Sequence, residues 1–191
     1  MFGFTGVDSR WNSYPNVTDS GLASEVFRRR QGRPPSAEEL TRFHEAYRAE
    51  FVRRAGPSDG AEIPGAGAFL ARLRQEPGWR VAIATGNFRS LAVLKLERAG
   101  IGHAGVPTAT ADDGLSRADL VRLAIKRAEA GGGFSHVVSV GDAPWDLRTS
   151  RELGLPLVVV GDLCGGDPGC RIADYRDWET VLPQLAAARC W

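Results

Sequence analysis

Two carboxylates, Asp142 and Asp146, follow an apolar run in the stretch VSVGDAPWDL. An apolar strand that ends at Gly141 predicts that both acids lie at its carboxyl end, because Pro144 suits the first turn of a following helix. Oxygen ligands gathered in this way suit Mg²⁺, which binds proteins through one or two carboxylates, substrate oxygens and water. In a simpler interpretation, Asp142 caps the helix and Asp146 compensates its dipole. This interpretation explains one acid after the strand well, but it does not explain why there are two.

A candidate anion site follows another apolar run, Val81 to Ala84. The next residues are Thr85, Gly86 and Asn87, and a helical pattern begins directly after them. A hydroxyl together with free N–H groups at a helix N-terminus binds anions, and a glycine lets a ligand approach the backbone. A threonine at a strand end is also an ordinary cap, so this pattern alone leaves both interpretations open.

The third residue that could take part in chemistry is Arg117, which opens the helical pattern of SRADLVRLAIKRA. This helix precedes the strand that ends at Gly141. A cation at a helix N-terminus is electrostatically unfavourable, so its placement there suggests a nearby anion. An ordinary surface arginine would explain this position equally well, and the sequence leaves both interpretations open.

Strands and helices alternate in the part of the chain that must position these residues, 61–191. This alternation predicts an α/β fold, with a parallel sheet covered by helices on both faces. In such sheets ligands bind at the carboxyl ends of the strands, where the three motifs lie. The predicted strands are 79–84, 106–109, 137–140 and 157–160, and the predicted helices begin near residues 64, 88, 117, 144 and 177.

Residues 1–60 have a different pattern and predict a small helical unit. Thr18, Asp19 and Ser20 offer caps for a helix over 21–31, and Gly32 to Pro35 breaks it. Ser36 and Glu39 then form a capping-box pattern. One apolar face follows on the second helix, made by Leu40, Phe43, Tyr47 and Phe51.

The bulk composition excludes several classes of protein. The chain has 191 residues, of which 43% are hydrophobic and 25% charged, and its formal net charge is +1. This balance gives no indication of nucleic-acid binding, and no apolar run approaches the ~18 residues that would span a membrane. The cysteines are Cys164, Cys170 and Cys190, an odd number without paired spacing, which fits a reducing cytoplasm. A clip or metal site at Cys164 and Cys170 has no supporting histidine nearby.

Taken in order, the three motifs resemble those of the haloacid dehalogenase superfamily of hydrolases. The second motif of that family, a strand ending in Thr or Ser, is similar to VAIATGN. Its third motif is similar to SRADLVRLAIKRA, where Arg117 takes the place of the commoner lysine, and its fourth, GDxxxD, matches VVSVGDAPWDL. The segments IPGAGAFLARLR and ELGLPLVVVG also resemble the family, so the resemblance covers about residues 63–185.

This resemblance implies a Mg²⁺-dependent phosphatase that acts through an aspartyl-phosphate. It assigns the metal to Asp142, gives catalytic roles to Thr85, Arg117 and Asp146, and lets Thr85, Gly86 and Asn87 bind the substrate. It also implies a three-layer Rossmann-like core over 61–191, with residues 1–60 as part of the family's helical cap. The expected partner is a small phosphorylated molecule, without nucleic acid or membrane, and the expected assembly is a monomer or homodimer in the cytoplasm.

The nucleophile of the family is an aspartate on the first strand, in a DxDx[TV] motif, and no such motif occurs in the 191 residues. Asp8 is the only acid before Asp19, and it has no second acid two residues on. Three explanations stay open: a coding region upstream of Met1 that supplies the strand and motif, a catalytically inactive relative that binds a ligand or partner, or a degenerate first strand over 1–7. We expect the first, because the later motifs are intact.

Two further interpretations are weaker. A dinucleotide-binding domain would need a glycine cluster between a strand and a helix, whereas the cluster at Gly65 and Gly67 follows no strand and that at 131–133 ends a helix. The residues from Val17 to Ser20 could form a substrate loop, although helix capping explains them better.

Overall fold

The computed structural model describes residues 2–56, 59–129, 132–162 and 170–189. It confirms an α/β fold with parallel strands. The helices are α1 (Asp19–Gln31), α2 (Ala37–Arg54), α3 (Ala66–Leu73), α4 (Arg89–Arg98), α5 (Arg117–Ala128), α6 (Pro144–Leu153) and α7 (Trp178–Ala187). The strands are β1 (Ile83–Ala84), β2 (Thr108–Ala109), β3 (Ser139–Gly141), β4 (Leu157–Val160) and β5 (Arg171–Ile172).

The strands form two separate parallel groups instead of one continuous sheet. β1 pairs with β2, and β4 lies between β3 and β5. β3 and β4 are in register from Ser139 opposite Leu157 to Gly141 opposite Val159. Within the described residues no ladder joins β1 to β3, so the two groups meet at unpaired edges.

The strand β4 shows how the apolar residues build three layers. Its four residues are all buried, because helices cover both of its faces. Leu157 and Val159 pack with Leu147 of α6 on one face. On the other face the alternate residues of β4 join a larger cluster from α3, β5 and α7, which contains Phe69, Leu73, Val158, Val160, Ile172, Val181 and Leu185.

The strands β1 and β2 have their own smaller core. Ala109 of β2 packs with Leu120 and Ala124 of α5, and Ala84 and Leu123 lie against this cluster. α5 also contacts α6, so these two helices share one face of the fold. The side of the fold that carries α5 therefore spans both strand groups.

The predicted helices agree closely with the structure, whereas the strands differ in length. The predictions over Pro144–Leu153 and Leu157–Val160 are confirmed at both ends. The strand predicted from Trp79 forms a ladder only at Ile83 and Ala84, because β2 offers only two paired residues on one side and no described residue pairs with β1 on the other. The short strand β5 was not predicted.

The helical unit near the N-terminus contacts the core through α4. The capping box of Ser36 and Glu39 is present at the start of α2. The ring of Phe43 lies 6.3 Å from that of Phe88, and the ring of His44 stacks on Phe88 at 4.3 Å. His44 Nε2 also lies 2.6 Å from the hydroxyl of Ser90.

The first residues of the chain do not supply the degenerate strand considered above. Phe2 and Phe4 pack edge-on against Phe27 of α1, with centroid distances of 5.0 and 5.1 Å. Residues 2–7 contain no strand. The aromatic side chains instead bury themselves against the helical unit, where Phe27 is almost fully covered.

Two further expectations concern the cysteines and the membrane. Cys164 and Cys190 lie outside the described residues, as does Gly131, whereas Cys170 is a free thiol near Gln184. Burial raises the pKa of the Cys170 thiol. Among the helices that the structure describes, none combines the length and the hydropathy needed to cross a lipid bilayer.

Candidate functional site

Arg117 is the centre of a polar cluster at the carboxyl ends of β1 and β3. Its Nη1 donates to Asp146 Oδ1 at 3.0 Å, and its Nε donates to the carbonyl oxygen of Val17 at 3.1 Å. The guanidinium also lies over the ring of Trp145, 5.4 Å from the centroid. Burial lowers the pKa of the Arg117 guanidinium, and the charges of nearby aspartates oppose that shift. The arginine is therefore held in place by the first turn of α6 and by the segment before α1.

Asp146 uses both carboxylate oxygens within this cluster. While Oδ1 accepts from Arg117, Oδ2 accepts from the backbone N–H groups of Asp142 at 3.2 Å and Ala143 at 3.1 Å. A carboxylate in the first turn of a helix satisfies orphan N–H groups and complements the helix dipole. Burial raises the pKa of Asp146, and the charge of Arg117 is the largest opposing influence. The close packing of Asp146 on Gly141 leaves no space for a side chain there, since a Cβ on Gly141 would lie 2.6 Å from it.

Asp142 is placed differently from Asp146. It lies between β3 and α6 and is partly exposed, and its carboxylate accepts no hydrogen bond from any residue that the structure describes. Its charge influences both Arg117 and Tyr175, and burial together with this charge raises the pKa of Tyr175 to about 12. Asp142 therefore provides a carboxylate that is available to a cation beside the Arg117–Asp146 pair.

Thr85 and Gly86 reach the same cluster from the end of β1. The N–H of Thr85 continues the ladder to Ala109 at 2.9 Å, and its hydroxyl accepts from the N–H of Asn87 at 3.2 Å. This contact is the cap expected of a threonine at a strand end, but it leaves the hydroxyl proton free to donate to a ligand. Gly86 is buried and lies directly beside Arg117.

The side chain of Asn87 points to a second set of polar groups. Its Nδ2 lies 3.3 Å from Asp19 Oδ2, and its Oδ1 accepts from Lys95 Nζ at 2.9 Å. The carboxylate of Asp19 also accepts from the N–H of Phe88 at 2.8 Å. The structure thus brings Thr85, Gly86, Arg117 and Asp146 around one cavity and turns the amide of Asn87 away towards Asp19.

The sequence analysis gave Asp19 a place in a helix cap or a substrate loop, but it missed the burial of Asp19 against the loop after β1. Only 8% of Asp19 is exposed, and burial raises the pKa of its carboxyl group, against the hydrogen bond from Phe88. The sequence indicated a helix cap, and Thr18 indeed accepts from the N–H of Gly21 at 2.9 Å. An acid directly after a capping threonine gave no further signal, because its partners lie about 70 residues away in the chain.

The segment before α1 joins the two loops that carry the motifs. The N–H of Asp19 donates to the carbonyl oxygen of Gly86 at 2.7 Å, and the hydroxyl of Thr18 donates to that of Leu115 at 2.6 Å. The hydroxyl of Ser20 donates to the carbonyl oxygen of Gly114 at 2.8 Å. Thr18 caps the helix, as predicted, and the segment contacts Gly86, which lines the cavity. None of the residues from Val17 to Ser20 lines the cavity itself, so the substrate-loop interpretation stays a prediction.

We expect Gly86→Ala to destabilise the protein by about 1–3 kcal/mol, because overpacking a close backbone contact forces neighbouring groups apart. The added Cβ would lie 2.9 Å from the carbonyl oxygen of Val17 and 3.1 Å from Arg117 Nη2. Denaturant unfolding of both proteins measures the difference. Gly102→Ala is the control, since no atom lies within 4 Å of a Cβ at that position. Equal stability of the two variants would contradict the packing described here.

The chain was compared with known protein families, with curated proteins and with solved structures. The model of the haloacid dehalogenase-like hydrolase family matches residues 10–154, which include all the motif residues described above. No curated protein sequence matches the chain.

The solved structures that share the fold include the following two. A hydrolase from Pseudomonas syringae superposes with a TM-score of 0.65 at 22% sequence identity, covering 88% of this chain and 79% of that one. A proposed β-phosphoglucomutase from Bacteroides vulgatus superposes with a TM-score of 0.60 at 23% identity, covering 88% of this chain and 72% of that one. The family model spans about three quarters of the sequence, and the chain is a member of the haloacid dehalogenase-like hydrolase family.

Proposed function

We propose that this protein provides the phosphoryl- and metal-binding part of a Mg²⁺-dependent phosphatase that acts on a small phosphorylated metabolite. The observation that supports this proposal is that Thr85, Gly86 and Arg117 line one cavity at the mouths of two parallel strands, while the charge of the Asp142 carboxylate acts on Arg117. A hydroxyl, a glycine backbone and a guanidinium suit a phosphoryl group, and a free carboxylate suits its metal ion. The reaction would proceed through an aspartyl-phosphate, for which these 191 residues contain no DxDx[TV] nucleophile.

Each residue has a separate task in this proposal. The hydroxyl proton of Thr85 and the backbone at Gly86 bind phosphoryl oxygens. The guanidinium of Arg117 neutralises negative charge that spreads over those oxygens in the transition state. Asp146 acts as a positioning residue, because it holds Nη1 of Arg117 at 3.0 Å and fixes the backbone of Asp142. Asn87 contributes indirectly, through its contact with the hydroxyl of Thr85.

The residues at the strand mouth fit Mg²⁺ in one respect, the type of oxygen that they offer. Asp142 supplies one free carboxylate, which is enough for an ion that keeps most of its shell as water and substrate oxygen. The described residues contain no group of three His, Cys, Asp or Glu side chains that could hold a metal ion. This argues against a site made by protein ligands alone. When bound at Asp142, Mg²⁺ would supply positive charge to the phosphoryl oxygens.

A catalytically inactive binding protein is the second candidate. The observation that favours it is that two acids near Arg117 and Gly86 are already hydrogen-bonded within the fold. Asp146 accepts from Arg117, and Asp19 accepts from the N–H of Phe88. Asp8 is bonded to Arg10 and Ser13 near the start of the chain and does not line the cavity. In this case the same groups would bind a phosphorylated ligand without cleaving it.

We expect Mg²⁺ to bind weakly to the wild-type protein and roughly tenfold more weakly to Asp142→Asn, because the amide loses the charge that attracts the ion. NMR titration with Mg²⁺, followed by inorganic phosphate, measures both steps. Phosphate should bind more tightly after Mg²⁺ in the wild type only. Glu97→Gln, which alters an exposed acid on α4, should bind both ions like the wild type. Equal Mg²⁺ binding by the wild type and Asp142→Asn would remove the metal assignment.

A further inference from the structure

Trp145 is an aromatic residue at the candidate site that core packing does not explain. It is the second residue of α6 and stands directly before Asp146. Its ring is only partly buried and joins none of the apolar clusters that the described residues form. The ring instead lies over the guanidinium of Arg117, whose Cζ is 5.4 Å from the ring centroid.

Two hydrogen bonds hold the guanidinium of Arg117 within its own plane. Nη1 donates to Asp146 Oδ1 at 3.0 Å, and Nε donates to the carbonyl oxygen of Val17 at 3.1 Å. The N–H groups of a guanidinium all lie in one plane, so these two bonds resist sideways movement but oppose tilting only weakly. A ring over the face of the group opposes tilting, because the positive charge is attracted to the π face. Trp145 therefore restrains the direction of movement that the two bonds leave free.

The third nitrogen of the guanidinium, Nη2, is the one that faces the proposed phosphoryl site. It has no hydrogen-bond partner within the described ranges of the chain. It lies beside Gly86, since a Cβ on that glycine would be 3.1 Å from it, and Arg117 lines the same cavity as Gly86 and Thr85. A tilt about the line that joins the two bonded nitrogens leaves those nitrogens in place and moves Nη2. The ring that opposes this tilt therefore decides where the free donor lies.

The start of α6 brings the ring and the carboxylate to Arg117 together. Pro144 is the first residue of the helix, and the carboxylate of Asp146 accepts from two backbone N–H groups just before it. These features fix the first turn, which carries both Trp145 and Asp146. The side chain of Arg117 is only 24% exposed, and cation–π attraction is stronger where water is excluded.

We propose that Trp145 is a positioning residue for Arg117, because its ring holds the guanidinium at the tilt that presents Nη2 beside Gly86. The contact belongs to the folded chain, whereas its use in binding phosphate rests on the proposed function. A lysine at position 117 would gain little from the ring, because an ammonium group is a point charge on a flexible stem and has no plane to be held. The effect of Trp145 on phosphate binding is therefore expected only while residue 117 is an arginine.

The first experiment measures the exchange of the Arg117 Nε–H with water by NMR, and the signal is assigned by its loss in Arg117→Lys. We expect Trp145→Leu to speed this exchange about tenfold or more, because the bond that the ring protects opens more often. Trp145→Phe keeps an aromatic face and should stay within about threefold of the wild type. The backbone N–H groups of Val159 and Gly161, which are bonded within the core, should exchange as in the wild type in both variants.

The second experiment measures the binding of inorganic phosphate to the same proteins. Trp145→Leu should weaken binding about fivefold, and Trp145→Phe about twofold or less. Arg117→Lys should weaken binding about tenfold, and adding Trp145→Leu to it should cause no further loss. Trp11→Leu is the matched control and should bind phosphate like the wild type, because Trp11 is 45% exposed and its ring contacts Tyr14 near the start of the chain.

Several results would overturn the positioning role of Trp145. These are unchanged exchange of the Arg117 Nε–H in Trp145→Leu, equal effects of the two substitutions at position 145, and faster exchange at Val159 and Gly161, which would mean a general loss of stability. Equal phosphate binding by the wild type and Trp145→Leu, or a further loss in the Arg117→Lys background, would also overturn it. If the exchange results are as expected but the wild type binds no phosphate, the positioning of Arg117 stands and the proposed function fails.

Discussion

An aryl phosphate incubated with the 191-residue chain and Mg²⁺ will show negligible hydrolysis, whereas a chain extended at its N-terminus by an apolar strand ending in DxDx[TV] will hydrolyse it ~1000-fold faster or more. Groups that only bind and neutralise a phosphoryl group leave the covalent step without a nucleophile. The extension supplies that nucleophile and, by its strand, places it between Thr85 and Asp142. Steady-state release of phosphate measures the difference.

The same extension with its first Asp changed to Asn is the control for this result. It keeps the added strand and should return the rate to that of the original chain. Thr85→Ala in the extended chain should lower the rate without abolishing folding, because it removes one donor. If the Asp and Asn extensions are equally inactive while both fold and bind phosphate, the binding-protein interpretation replaces the enzyme.

Asp146→Ala should lower the free energy of unfolding by about 3–5 kcal/mol, because it leaves a half-buried charge without its partner. The side chains of Arg117 and Asp146 are only 24% and 16% exposed. The substitution also removes the acceptor for the N–H groups of Asp142 and Ala143. Urea unfolding, followed by the fluorescence of the neighbouring Trp145, measures the loss.

A second substitution separates the unpaired charge from other effects. Arg117→Met combined with Asp146→Ala should recover part of the lost stability, because no charge is then left without a partner. Glu152→Ala removes an exposed acid whose contact with Arg122 is 3.8 Å long, and it should cost ~0.5 kcal/mol or less. A loss below ~1 kcal/mol for Asp146→Ala would show that the pair contributes no more than a surface ion pair.

Much of the fold was predictable because local signals decided it. Pro144 and the capping box at Ser36 fixed helix starts, and the apolar run Leu157–Val160 could only be a strand buried on both faces. The order of the motifs also brought Thr85, Arg117 and Asp146 to the same end of the sheet, since carboxyl ends of parallel strands share one edge.

The rest depended on contacts that are distant in sequence. The burial of Asp19 follows from its bonds to Phe88 and Asn87, which no local pattern reveals. The short ladder at β1 follows from its second edge, which no described residue pairs with. In the sequence, a strand with an unpaired edge does not differ from any other apolar run. The resemblance assigned the metal to Asp142, but only the coordinates show that Asp146, and not Asp142, accepts from the N–H groups at the start of the helix.

The division of the sheet has a consequence for how the molecule unfolds. Backbone ladders and shared cores are what make a small domain unfold as one unit, and here each strand group has its own cluster of apolar residues. The links that cross the gap between the strand groups include α5, the ion pair between Arg117 and Asp146, and the side chains of Trp79 and Val81, which precede β1 and pack against the cluster around β4. We therefore expect the half built from β1 and β2, which has the smaller core, to open at a lower free energy than the half built on β4.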